Sequence, residues 1–449
     1  MLLYQRQSQK FAYATRQISR LLKEPPQYGL NAIGIDRLSD SEPRYIRITD
    51  IDEFGRLKST IGKTADDDRR HLYMLGHDDI LLARSGTVGK CYIHKAHSLP
   101  YPCFYAGYMI KFVVDKEKIN PDYFFYYTQL KPFADWVSAV QRVAAQPNIN
   151  AQEYKSLEIP VPPFANQSKI IEAMGNAYKN MAGKEKEAGA MVGGINDYLS
   201  KELEIIMGKK EGTLKNRVFI RYRRDINSRR YDPFFYADEF VSLHRALGQC
   251  RYETVRLGDC LSFIESGARP VGGVANIESG VLSLGGEHVS DEAGIETRHH
   301  PKFVPWEFHQ QNLRTETRKN DIVLVKDGAT TGKTGMILKD EHVGQNINEH
   351  VFILRPSSKC VAGYLLNFLC SSFGQKLLER EITGGTVMGV SKSSLLRIPI
   401  PLPPPEKQEE IAHHINQMRQ HAEKLKEQAR GELEDAKRYV EKIILGDGE

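Results

Sequence analysis

Leu157 to Met174 reads LEIPVPPFANQSKIIEAM, and Leu396 to Ile415 reads LRIPIPLPPPEKQEEIAHHI. Each opens as a short apolar strand that its prolines stop, because proline lacks the amide proton that a strand or helix interior needs. After Pro162 and Pro163, and again after Pro403, Pro404 and Pro405, a polar segment holding Gln167 or Gln408 begins a run of about 40 residues without another proline. A polar start, apolar periodicity and no breaker predict a long helix in both places.

Further matches show that the copied unit is large. Ile80 to Lys95 (ILLARSGTVGKCYIHK) parallels Ile322 to Lys339 (IVLVKDGATTGKTGMILK), and Tyr123 in NPDYFFYY parallels Tyr364 in VAGYLLNF at the same distance from the two glutamines. The unit spans about 200 residues, well beyond the 20 to 50 of solenoid repeats, so a whole domain is duplicated.

The second of these stretches resembles a phosphate-binding loop, but only three residues separate Gly328 from Gly332 where that loop needs four. Apolar residues follow Lys333 in place of a helix, and the first copy has a shorter loop. A strand-turn-strand hairpin fits both copies, with Gly86, Gly89, Gly328 and Gly332 supplying positive φ and Lys90 or Lys333 left at the tip.

With 449 residues, 41% of them hydrophobic, the chain can bury two or more cores. No apolar run approaches the ~18 residues of a membrane span, and MLLYQRQSQK lacks a signal-peptide apolar stretch, so a cytoplasmic location is expected. Cys91, Cys103, Cys250, Cys260, Cys360 and Cys370 lie far apart without a Cys-x-x-Cys pair, which predicts free thiols. Net charge is only +5, yet cations gather between the copies: Lys209, Lys210, Lys215, Arg217, Arg221, Arg223, Arg224, Arg229 and Arg230 outnumber Glu211, Asp225 and Asp232. Such a cluster beside Tyr222 and Tyr231 suits a phosphate-lined surface, and equally a solvated linker.

The two proline-free runs carry apolar residues at alternating three- and four-residue steps, a heptad seam. In the first these are Ile171, Met174, Tyr178, Met181, Ala188, Val192, Ile195, Leu199 and Ile206; in the second, Ile411, Ile415, Met418, Ala422, Leu425, Ala429, Ala436, Tyr439 and Ile443. Each helix would be about 60 Å long at 1.5 Å per residue. Two helices of matching length most simply pair as an antiparallel coiled coil, with pseudo-two-fold symmetry between the units. Gly175, Gly183, Gly189, Gly193 and Gly194 weaken the first helix and mark where a partner helix could approach closely.

In this order, globular unit, IPVPPFANQ with a long helix, second unit opening at RRYDPFFY, then IPIPLPPPEKQ with a second helix, the chain resembles the specificity (S) subunit of type I restriction-modification systems. The resemblance implies an α+β fold of two target recognition domains and two spacer helices, divided as 1–164, 165–208, 209–404 (with the basic linker) and 405–449. It implies a DNA-reading subunit without catalytic motifs or a cofactor. Its partners would be double-stranded DNA and two DNA adenine methyltransferase (M) subunits, with restriction (R) subunits left open. One departure is that the first unit has no counterpart of Tyr231 to Tyr236. A self-contained DNA-binding regulator is the alternative.

On that resemblance, loop side chains read the major groove, where Arg and Lys reach guanine and Asn and Gln reach adenine. The candidates are Arg84, Ser85, Thr87, Lys90, Gln146 and Asn148 in the first unit, and Lys326, Asp327, Thr330, Thr331, Lys333 and Thr386 in the second. Adenine methylation by the chain itself needs an Asp/Asn-Pro-Pro-aromatic loop; DPFFY from Asp232 lacks the second proline and VPPF from Val161 lacks the Asp or Asn. His299, His300, His413 and His414 have no convincing metal-ligand spacing.

Overall fold

The computed structural model describes residues 11–140, 147–207, 219–223, 226, 230–385 and 388–446. They form two compact units, residues 1–185 with 426–449, and residues 186–425.

Unit one contains β1 (Thr15–Gln17), β2 (Gln27–Tyr28), β3 (Ile35–Asp36), β4 (Arg44–Ile46), β5 (Lys63–Thr64), β6 (Ile80–Ala83), β7 (Cys91–Ile93), β8 (Cys103–Tyr105), β9 (Met109–Phe112) and β10 (Glu158–Pro160). One antiparallel sheet runs β2-β9-β6-β7 and a second runs β3-β5-β4-β8, with β4 and β8 parallel. A two-stranded ladder joins β1 to β10. Strand β6 is apolar throughout because both its faces are covered. Ile80 and Leu82 share a core with Phe124, Tyr154 and the long helices, whereas Leu81 joins Ile46 and Tyr105 on the side of the second sheet.

Unit two repeats this plan with β11 (Thr254–Arg256), β12 (Leu261–Ser266), β13 (Val281–Leu284), β14 (Phe303–Val304), β15 (Ile322–Val325), β16 (Thr334–Met336), β17 (Asn346–Ile347), β18 (Val351–Pro356) and β19 (Pro399–Pro401). The order β12-β18-β15-β16 matches the first sheet of unit one, and β14-β13-β17 matches three strands of the second, again with one parallel pair. Ile322 and Leu324 face one core and Val323 and Val325 the other. Residues 11–14 lead directly into β1, whereas in unit two a helix, Asp238–Gly248, precedes β11 and buries Leu243 and Leu247.

The two proline-led runs are helices, Phe164–Leu203 and Pro405–Leu445. In unit one the early residues Met174 and Met181 share a core with the late residues Ala429, Leu433, Val440 and Ile444. In unit two the late residues Ile195, Leu199 and Leu203 meet the early residues Ile411 and Ile415. Lys407 bonds Glu202 at 2.6 Å, which confirms the antiparallel sense.

The seam differs from strict heptads. Ile411, Ala422, Leu433 and Ile444 are buried at eleven-residue intervals, as are Ala177, Ala188 and Leu199. Of the heptad candidates, Val192 is 43% exposed, Tyr439 is 55% exposed, and Ile206 lies past the helix end. An undistorted helix drifts about 20° per heptad, so an uninterrupted 3.5-residue template leaves the buried face within a few repeats, whereas eleven residues span three turns at 3.67 per turn. Gly183, Gly189 and Gly193 do not mark close approach. A Cβ at Gly183, Gly189 or Gly193 would meet nothing within 4 Å; at Gly194 it would lie 3.6 Å from Met418.

Candidate nucleic-acid interface

The two glycine-lysine stretches are hairpins. Strand β6 pairs antiparallel with β7, and β15 with β16, while Gly86, Gly89, Gly328 and Gly332 have φ of 72°, 83°, 95° and 92°. No helix follows either loop, so the anion-binding helix N-terminus of a phosphate cradle is missing.

The lysines lie at the foot of the hairpins, which corrects their expected place at the tip. The Ala83 amide donates to the Lys90 carbonyl at 2.9 Å, and that of Val325 to Lys333 at 2.9 Å, closing each turn before the tip can include the lysine. Lys90 turns inward and donates to the Ile51 carbonyl at 3.0 Å. Burial, then repulsion from Lys58, lowers its pKa. Lys333 instead pairs with Asp291 at 2.7 Å.

Two further loops pack on each hairpin at equivalent positions. The Arg84 amide donates to Tyr108 and the Arg84 carbonyl accepts from Ile149, both at 2.9 Å. In unit two the Lys326 amide donates to His350 at 2.9 Å and its carbonyl accepts from Val390 at 2.8 Å. Ser85 bridges Asn148, and Asp327 bridges Gly389. Asn148 and Gly389 thus lie beside the two hairpins. Gln146 and Thr386 lie outside the described residues.

Thr87 and Thr330 are exposed, while the Thr331 hydroxyl is spent on its own turn, donating to the Gly328 carbonyl at 2.7 Å. The Arg84 guanidinium stacks 4.8 Å above the Tyr28 ring. Lys326 lies 5.7 Å from the centre of the Phe352 ring and 3.8 Å from Asp327. Asp327 accepts from His350 at 2.5 Å.

Tyr28, Tyr108 and His350 also lie against the hairpins, and sequence reasoning did not single them out. They lie far along the chain from the glycine motifs and join them only through sheet pairing. Gly29 and Gly267 are the one local signal. A Cβ there would come within 2.3 Å of the Ala106 carbonyl oxygen and 1.9 Å of that of Ile347, so only glycine lets this loop approach the segment before β9 or β18.

Beneath the first hairpin is a cleft of about 750 Å³ whose lining includes Lys58, Lys90, Lys131, Lys437 and Arg438, opposed by Asp52, Glu53, Glu434 and Glu441. Near-balanced charge makes it a poor phosphate site. In the basic segment, Arg221 pairs with Asp238, and Arg230 with Asp232 at 2.8 Å. Lys209, Lys210, Lys215, Arg217, Arg224 and Arg229 lie outside the described residues. Among the described residues, no group of three or more His, Cys, Asp or Glu is arranged to hold a metal, and no helix is long and apolar enough to cross a membrane.

Residues 41–188 and 252–435 match the model of the type I restriction modification DNA specificity domain. A search of curated proteins gave no match. Among solved structures, the chain resembles one described as showing complex assembly and conformational transition of the type I R-M system, at 16% identity and TM-score 0.51 over 97% of each chain. It is also similar to the HsdS subunit from Thermoanaerobacter tengcongensis, at 16% identity and TM-score 0.35 over 97% of each chain. The type I restriction-modification S subunit from M. genitalium matches at 13% identity and TM-score 0.42, over 98% of this chain and 97% of that one.

Proposed function

The chain belongs to the type I restriction-modification DNA specificity domain family, and from that premise we propose that it is the non-catalytic reading subunit of a DNA-modifying complex. Each unit reads one half of a bipartite target through its hairpin and the two loops beside it. Residues 1–164 and 209–404 act as the recognition domains, and 165–208 and 405–449 as spacer helices that set the distance between half-sites and dock two methylase subunits.

The observation that carries this reading is the equivalence of the two loop clusters: Arg84 with Tyr108 and Ile149, Lys326 with His350 and Val390. Two copies of one backbone frame carrying different side chains are what reading two different half-sites with one scaffold requires. The frame holds the loops while their side chains change the sequence read, in keeping with specificity residing in loops on a rigid scaffold.

Co-expression with a DNA adenine methyltransferase subunit encoded beside it, followed by mapping of modified adenines, tests the proposal. The expected result is one bipartite motif with a fixed spacer. Modification that needs no specificity chain, or that follows no sequence, overturns it.

A further inference from the structure

The two clusters differ in charge where they are otherwise alike. In unit one the hairpin from Arg84 to Lys90 carries no carboxylate, and Ser85 holds the position bridged to Asn148. In unit two that position is Asp327. A carboxylate facing phosphate weakens DNA binding, so its place on such a hairpin calls for a partner that is not phosphate.

The side chain is also fixed. His350 Nδ1 lies 2.5 Å from Asp327 Oδ1, and His350 Nε2 lies 3.2 Å from Glu349. Glu349 is in turn paired with Arg269 at 2.7 Å. On the other side Gly389 packs so closely that a Cβ there would lie 3.0 Å from the Cβ of Asp327. The carboxylate is a quarter exposed, and Oδ2 lies 3.8 Å from the Lys326 ammonium with no short hydrogen bond to it among the described residues.

We propose that Asp327 is a specificity-determining residue that accepts a hydrogen bond from the N4 amino group of a cytosine in the half-site read by unit two. Cytosine is the base that presents only a donor for hydrogen bonding in the major groove, and Asp and Glu are the side chains that accept from it. Adenine also offers an amino donor but places the N7 acceptor beside it, where a carboxylate is repelled. His350 is a positioning residue: it occupies one oxygen and so aims the other. This inference rests on the reading of the chain as a DNA specificity subunit.

The test is selection of bound duplexes from a randomised pool by the complex with its methylase partner, for the wild type and for Asp327→Asn and Asp327→Ala. The wild type should return two half-sites, one with a C·G pair at a fixed position. In Asp327→Asn the amide oxygen remains with His350 and the NH2 group replaces the free acceptor. Preference at that single position should then fall about tenfold or more and move toward a base that offers an acceptor. Asp327→Ala should lose preference there without gaining another. The half-site of unit one should stay the same in both.

A wild-type half-site without a C·G pair, unchanged preference in both variants, or an even loss of affinity across all positions would overturn the role of Asp327 alone. A wild-type complex that selects no sequence would overturn the reading on which it rests.

Discussion

The phenol of Tyr123 donates a 2.8 Å hydrogen bond to the carbonyl of Pro160, and both residues are buried in unit one. Tyr364 makes the same bond to Pro401 at 2.5 Å in unit two. Each ties a core helix to the strand that leads into a long helix. Gln167 acts beside it, accepting from the Asn120 amide at 2.9 Å and donating to the Pro162 carbonyl at 2.8 Å; Gln408 does so with Val361 and Pro403. The tyrosines and glutamines are therefore the joints that hold each long helix to its domain.

Tyr123→Phe removes the donor and leaves the Pro160 carbonyl buried without it, at a cost of about 1–3 kcal/mol. Denaturant unfolding should show a lower midpoint with an unchanged slope. An unaltered midpoint would mean that water replaces the phenol and the joint contributes little.

The exposed tip and half-buried foot of the first hairpin should respond differently to substitution. Thr87→Glu places a carboxylate where phosphate would approach, and at an effective dielectric between that of water and a protein surface the repulsion is about 1–2 kcal/mol. Binding of target DNA by the complex should weaken roughly tenfold. Lys90→Met removes a cation that is already turned toward Ile51, so the slope of log affinity against log salt should not change. A slope reduced by about one contact in Lys90→Met would place that ammonium on phosphate.

Stability should fall in mild acid. His94 is buried in unit one, with Nδ1 3.1 Å from the Tyr92 hydroxyl. Burial, and to a smaller extent His77, lowers its pKa from 6.5 to about 4. The folded histidine is neutral where the unfolded one takes up a proton. Its stabilising contribution is thus complete above pH 6.5 and is lost as pH falls toward 4, by up to about 3 kcal/mol. His244 in unit two, lowered to about 4 by burial and then Arg380, adds a loss of the same sign. Stability measured across this window should decline less steeply in His94→Gln; an identical decline would show that His94 does not titrate with unfolding.

The frame was legible because it rests on local chemistry. Glycine spacing and apolar runs gave both hairpins, and Pro162, Pro163 and Pro403 to Pro405 gave the starts of the helices. The site was less legible because pairing decides it. Whether Lys90 is tip or foot depends on its ladder partner Ala83, and Tyr108 and His350 reach the hairpins only when β9 and β18 form. The seam shows a third case, in which the apolar residues were recognised but the heptad template gave several of them the wrong face. Val192 and Tyr439 are exposed, whereas Leu433 and Val440, outside the heptad template, are buried.

The eleven-residue spacing determines how the spacer should be tested. The units divide between Glu185 and Lys186 on the first long helix and between Leu425 and Lys426 on the second. Inserting eleven helix-forming residues at both points lengthens each helix without removing a side chain from either core. It also preserves the phase of Ile411, Ala422, Leu433 and Ile444, because their own interval is added. At 1.5 Å per residue the addition is about 16 Å, or roughly five base pairs at 3.4 Å each. If the helices set the distance between half-sites, mapping of modified adenines should return the parental half-sites with a spacer longer by about that amount. A parental spacer would show that the helices do not set the distance. New half-site sequences would show that the reading loops depend on the helices, against the division of labour proposed for the two parts.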